Sequence, residues 1–250
     1  MSEYNKNEEY GEDIRIKTPF MTWFENFWYH YKWHSIAALF LIICILVCSL
    51  QMCTKDPIDF HLMYAGNAEI DRTSADGDLP AYMRLKNIFT RYASDFDGDG
   101  NTVLTLTTYF SLSPEEIEAA DSNPATEVNH TLLSQDREAL TTRLRIGEYY
   151  LCLVSPYVLE SFGKVGDVSI FAPISQYAPA ENTLEYYNEY AIKLSSTALY
   201  KNSPEVREIL PADTLICIRI NSAMGAAFGG AENAELYARA EAVLRRILGE

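Results

Sequence analysis

The chain has 250 residues and a net charge of −15. Six acids and four bases lie before residue 54, so thirteen of those net negative charges belong to residues 54–250. A domain that acidic repels nucleic acid and anionic lipid, so no nucleic-acid partner is expected.

Residues 1–18 are polar and mixed in charge, the composition of a disordered cytoplasmic tail. Thr18 followed by Pro19 marks a helix start, an N-cap and a residue suited to the first turn. Phe20, Trp23, Phe24, Phe27, Trp28 and Tyr31 then recur at the spacing of one helix face. All three tryptophans of the chain, Trp23, Trp28 and Trp33, fall here. Trp and Tyr rings favour the headgroup region, being apolar at one end and hydrogen-bonding at the other. Residues 19–34 therefore read as an interfacial amphipathic helix. Its membrane-interface residues are Trp23, Phe24, Phe27, Trp28, Tyr31 and Trp33. An aromatic contact between subunits is the competing reading.

Every residue from Ile36 to Cys48 is apolar, and no charge occurs from Ser35 to Cys53. At 1.5 Å per residue such a helix covers about 28 Å, close to the thickness of a hydrocarbon core. Residues 35–53 read as a transmembrane helix. No small-residue cleavage pattern follows it, and Val47 and Met52 precede Cys48 and Cys53 where a lipoprotein signal carries a small residue. An uncleaved signal-anchor is expected. Arg15, Lys17 and Lys32 outnumber Lys55 and Arg72, which predicts a single-pass cell-membrane protein with a cytoplasmic N-terminus and an extracytoplasmic C-terminal domain.

Residues 54–250 suffice for one well-buried domain or two very small ones. Ile58–Ala65 reads as a strand, followed by a long loop and a helix over Leu79–Phe96 with Asp78 as its cap. Thr102–Phe110 is rich in β-branched and aromatic residues and reads as a second strand. Ser113-Pro114-Glu115-Glu116 is a capping box opening a short helix. Thr131–Ile146 reads as a helix stopped by Gly147. Tyr149–Val154 is apolar without alternation, the pattern of a strand buried on both faces. Ser155-Pro156 opens a short helix closed by Gly163. Val168–Pro173 and Tyr190–Leu194 are weaker strand candidates, and Ser203-Pro204 starts a helical turn. Thr214–Ile220 reads as a strand, and Ala231–Leu248 as the last helix. Strand and helix alternating at this spacing predict an α/β domain with a mainly parallel sheet flanked by helices.

The run RLRIGEYYLCLVSPYVLESFG, within Thr131–Gly163, is a helix ending at Gly, a buried strand and a short helix at the strand's tip. It resembles a segment of extracellular solute-binding proteins with the type 2 periplasmic-binding fold. ILPADTLICIRI and the helix after it resemble the returning strand and closing helix of one lobe. The FENFWYHYKWH stretch resembles the juxtamembrane segment of membrane-anchored bacterial proteins. The resemblance implies one such lobe, non-enzymatic, tethered to a membrane. A cleft between two lobes needs roughly 300 residues or more, so one lobe is all the chain accommodates.

Candidate chemistry is sparse. Asp95, Asp97 and Asp99 with Gly100 match the opening of a calcium loop, in which alternate oxygens wrap a hard cation. Val103 and Leu106 stand at the ninth and twelfth positions and offer no side-chain oxygen. A turn using Asp and Gly for Asx and left-handed geometry is the preferred reading. Ca2+ is thus the one metal these residues suggest, and no cofactor is expected. Ser161-Phe162-Gly163-Lys164 spells S-x-x-K without its companion motifs, and is read as chance. The glycine-rich Asn221–Gly230 suits a flexible loop better than an anion cradle. Cys152 and Cys217 each sit in an apolar run; buried free thiols are expected, with a cross-strand disulfide as the alternative after export. In open α/β sheets ligands bind at the carboxyl ends of strands. That places a candidate site at Tyr64, Asn67, Tyr109, Ser111, Ser155 and Tyr157, with Asp71, Asp76 and Asp78 in the long loop beside them. The expected function is membrane-anchored binding, with the lipid bilayer and a small extracellular ligand or another membrane protein as partners. An envelope scaffold or accessory subunit is the alternative.

Overall fold

The computed structural model describes residues 18–53, 58–71, 79–123, 128–147, 149–179, 183–221 and 223–249. The chain forms two units, Met1–Asp56 and Pro57–Glu250.

In the first unit, α1 (Pro19–Cys53) is a single helix of 35 residues, about 52 Å long at the standard rise. Residues 19–34 and 35–53, expected as two elements, are continuous. Nothing between Tyr31 and Ile36 breaks a helix, since neither Pro nor Gly occurs there. A 24-residue stretch, Asn26–Ser49, is long and apolar enough to cross a membrane, and none of it is buried. The expected aromatic face forms a ladder. Phe20 stacks on Phe24 with centroids 6.5 Å apart, Trp23 on Phe27 at 5.6 Å, Phe24 on Trp28 at 6.2 Å and Phe27 on Tyr31 at 5.4 Å.

The second unit runs β1 (Phe60–Gly66), α2 (Ala81–Thr90), β2 (Leu104–Phe110), α3 (Pro114–Asp121), α4 (His130–Ile146), β3 (Leu151–Val154) and α5 (Pro156–Phe162). A small hairpin follows, β4 (Lys164–Val165) with β5 (Val168–Ser169). After it come β6 (Tyr186–Asn188), β7 (Ala191–Lys193), α6 (Ala198–Asn202), α7 (Pro204–Ile209), β8 (Leu215–Ile218) and α8 (Ala223–Leu248). Short 3-10 turns occupy Ile174–Tyr177 and Leu194–Ser196.

The main sheet has six strands in the order β2-β1-β3-β8-β7-β6. β1 pairs in parallel with β2 and β3, while β8 is antiparallel to β3 and to β7, and β6 is antiparallel to β7. The sheet is therefore mixed, which corrects the expectation of a mainly parallel one. β6 and β7 follow each other across a short turn, and such a connection joins only antiparallel neighbours.

Successive strand residues point to opposite faces, and the core follows that rule. Leu62 and Tyr64 of β1, Leu151 and Leu153 of β3, and Ile216 and Ile218 of β8 join one cluster, with side chains of α2, α6, α7 and α8. Met63 and Ala65, Cys152 and Val154, and Leu215 and Cys217 join the other, against α4 and α5. The result is three layers, and β3 is buried on both faces as its unalternating sequence predicts.

Three local differences have physical causes. α2 stops at Thr90, short of Phe96; Arg91 and Tyr92 take tighter bonds to Ile88 and Phe89 carbonyls, and the chain turns toward the Asp-rich loop. The cap expected at Asp78 lies outside the described residues. α8 begins at Ala223 rather than Ala231, so most of the expected glycine-rich loop is helix; its alanines favour the helix enough to carry the glycines. The strand expected over Val168–Pro173 is β5 plus a single bridge from Phe171 to Arg219.

Candidate functional site

The carboxyl ends of β1, β2 and β3 lie side by side, and each carries residues singled out above. β1 ends in Gly66. A side chain there would meet the Tyr64 hydroxyl at 2.7 Å. Glycine lets the buried Tyr64 ring fold back so that its hydroxyl accepts from Ala68 N at 3.0 Å. Burial pushes the Tyr64 phenol well above its usual range. Tyr64 is therefore a core strut under the loop that leaves β1.

Asn67 donates through Nδ2 to Glu116 Oε1 at 2.7 Å. The other Glu116 oxygen accepts from Ser113 N at 2.7 Å, and Ser113 Oγ accepts from Glu116 N at 3.2 Å. The capping box of α3 thus also tethers the β1 loop. Asn67 Oδ1 is buried without a partner among the described residues. Ser155 is likewise engaged: its amide donates to Ala65 O at 2.9 Å and its hydroxyl caps α5 by accepting from Val158 N at 3.3 Å. Tyr109 is buried against Leu140 and Leu144. Tyr157 is half-buried, its ring edge-on to Phe162 with centroids 6.1 Å apart.

Two clefts open beside these residues, both bordered by the end of β2 and the start of α4. The larger, about 380 Å³, is lined by Glu69, Asp71, Thr108, Tyr109, Leu132 and Asp136 among others. Its acidic wall is held in place: Asp136 Oδ2 accepts from Phe110 N at 2.7 Å, and Asp71 O accepts from Tyr82 N at 3.1 Å. The smaller, about 130 Å³, is lined by Ser111, Ile117, His130, Leu133, Arg137 and Tyr157 among others. The structure therefore gathers Tyr109 at one cleft and Ser111 and Tyr157 at the other, and assigns Tyr64 and Ser155 to framework roles. Asp76 and Asp78 lie outside the described residues. Glu69, Asp136 and Arg137 were missed from sequence. The last two sit on the polar side of α4, where periodicity marks solvent but not a cleft.

The Asp-rich turn is a separate place in the fold. Asp95 accepts from Gly98 N at 2.6 Å and Gly100 N at 2.8 Å, which holds its carboxyl below the usual range, the Gly100 bond contributing most. Gly98 and Gly100 have φ of 79° and 89°, the left-handed geometry expected there. Asp99 Oδ1 accepts from Asn101 N at 2.7 Å. The carboxylates brought together are Asp95, Asp97 and Asp59, with oxygens within 4.8 Å of one another. Asp59 is buried and accepts from Phe96 N at 2.7 Å and Val103 N at 2.9 Å. Asp59 was missed because it joins the turn through space rather than through loop spacing. Leu106 is buried in β2, so the twelfth position of a calcium loop faces the core. Loop amides already engage Asp59 and Asp95, as a self-closed turn requires.

Other reactive groups are muted. Cys152 and Cys217 face each other across β3 and β8 as buried free thiols. Burial pushes Cys152 up to about 12 and Cys217 well above its usual range, and a thiol held neutral is a poor nucleophile. Ser161 is exposed near the end of α5, and Gly163 caps that helix. Arg219 is buried, and its Nε donates to Leu144 O at 3.2 Å at the end of α4. No family model, curated protein or solved structure matches the chain.

Proposed function

We propose that this is a membrane-anchored, non-enzymatic binding domain related to one lobe of a solute-binding protein. In this reading α1 is an uncleaved single-pass anchor, the N-terminus is cytoplasmic, and the α/β domain is extracytoplasmic. The observation that carries it is the pair of clefts at the carboxyl ends of the parallel strands, where open α/β sheets hold ligands. The parallel order β2-β1-β3, with the returning strand β8 beside β3, supports kinship with a lobe. The engaged Ser155 hydroxyl and the protonated, buried Cys152 and Cys217 support binding without catalysis.

The test is a thermal-shift screen of the detergent-solubilised full chain with sugars, amino acids, peptides and Ca2+. A saturable rise in Tm with a member of one class is expected. A second reading, an envelope scaffold or accessory subunit, is favoured by the stacked, exposed aromatic ladder of α1. No shift with any ligand, together with specific co-purification of a membrane protein through α1, would replace the first reading with the second.

A further inference from the structure

The smaller cleft has a chemistry of its own. Ser111 follows β2, and its amide donates to Gly66 O at 2.8 Å, which pins the backbone between two strand ends. The residue is only 5% exposed, and its hydroxyl, which has no hydrogen-bond partner among the described residues, lines the cleft. Tyr157 and Arg137 line the same cleft. The Tyr157 hydroxyl has no hydrogen-bond partner among the described residues, and no carboxylate there lies within ion-pair distance of Arg137. The Arg137 guanidinium is instead set over the Phe162 ring, 5.7 Å from its centroid, and Phe162 packs edge-on against Tyr157. Stacking of this kind orders a guanidinium and leaves its in-plane donors free.

The amino end of α4 agrees in sign. His130 and Leu133 belong to the first turn of α4, a 17-residue helix, whose amino end carries partial positive charge. The His130 ring is paired with Asp121 Oδ1 at 3.0 Å. Ile117 and Leu133 supply apolar wall. A volume of about 130 Å³ admits a small headgroup.

We propose that Ser111, Arg137 and Tyr157 seat a small oxyanion, the carboxylate or phosphate group of the domain's ligand. This rests on the binding reading above and adds the ligand's charge class to it. Arg137 supplies paired donors, Tyr157 and Ser111 one O–H each, and the larger acidic cleft next to it rejects the same group.

The experiment is calorimetric titration of the full chain in detergent at fixed ionic strength. The probes are succinate, inorganic phosphate, glucose and choline, applied to the wild type, Arg137→Gln, Tyr157→Phe and Ser111→Ala. Succinate or phosphate binding is expected, weakened about tenfold or more by Arg137→Gln and about threefold to tenfold by Tyr157→Phe, as loss of a charged or neutral hydrogen bond implies. Preference for succinate over phosphate, or the reverse, identifies the source of the anion. Arg137 and Tyr157 keep exposed surface, so these variants should melt like the wild type; Ser111→Ala is judged only alongside them. Undiminished anion binding by Arg137→Gln, or no binding of either anion, overturns the proposal. If only glucose or choline binds, the anion seat is wrong and the binding reading stands; if no probe binds here and none shifts Tm in the broader screen, both fall.

Discussion

Two unbroken apolar runs in this chain meet opposite fates. Ile36–Cys48 in α1 leaves its side chains open, with Leu39 at 59% exposure, whereas Leu151–Val154 in β3 is sealed, with Leu151 at 0%. A helix satisfies its own backbone and can offer every side chain to hydrocarbon. A strand must borrow its hydrogen bonds from neighbours, and β1 and β8 flank β3 while α8 and α4 cover its two faces. The same composition therefore leaves an open helix long enough to cross a membrane in one place and a protein core in the other, and run length separates them.

The sharpest way to break that contrast is a charge in each run. Leu153→Lys should cost more than about 4 kcal/mol and abolish cooperative thermal unfolding. Ile42→Lys should leave the domain's Tm unchanged and instead weaken insertion by about 3 kcal/mol, read as loss from the membrane fraction after an alkaline wash. Equal losses of Tm would erase the distinction.

A smaller test compares joints. Gly147 ends α4 with φ of 89°, and a side chain there would collide with the buried Arg219 guanidinium. Gly147→Ala should cost about 1–3 kcal/mol through backbone strain, lowering Tm by several degrees. Ala38→Gly in α1 should leave the domain's melting curve in place. An unchanged Tm for Gly147→Ala would show that Arg219 moves aside without cost.

The smallest effect is electrostatic. Tyr187 of β6 donates to Glu160 of α5, and that bond raises its phenol above the usual value. A group raised on folding stabilises the fold below its unfolded value, near pH 10, and loses that contribution as pH climbs further. Burial raises Tyr64 and Tyr237 as well, so stability should decline above about pH 10. Tyr187→Phe should lower Tm slightly at neutral pH and make the alkaline decline shallower by a small margin. An identical alkaline slope would mean that the Glu160 bond is not made in solution.

What could be read without coordinates was local. Ser113 and Glu116 form the expected capping box, Gly147 ends α4, and Leu151–Val154 is buried on both faces. Strand direction was not legible, because TLICIRI has the same apolar pattern whether β8 runs with β3 or against it. Tyr186–Asn188 is too short to show a period, so β6 went unseen. The site was half legible. Tyr157 and Ser111 follow from the rule about strand ends. Arg137 is a polar residue on a polar helix face until the fold sets it over Phe162.

The position of β8 carries a consequence for biogenesis. The last strand in sequence is the fourth in the sheet, between β3 and β7. A chain emerging from its N-terminal end must expose the edge of β3 until residue 218 arrives. Pairings so distant in sequence slow folding and leave an adhesive edge open meanwhile. Vectorial synthesis therefore cannot complete this sheet piecemeal, and a nonsense truncation before β8 removes its middle rather than its end.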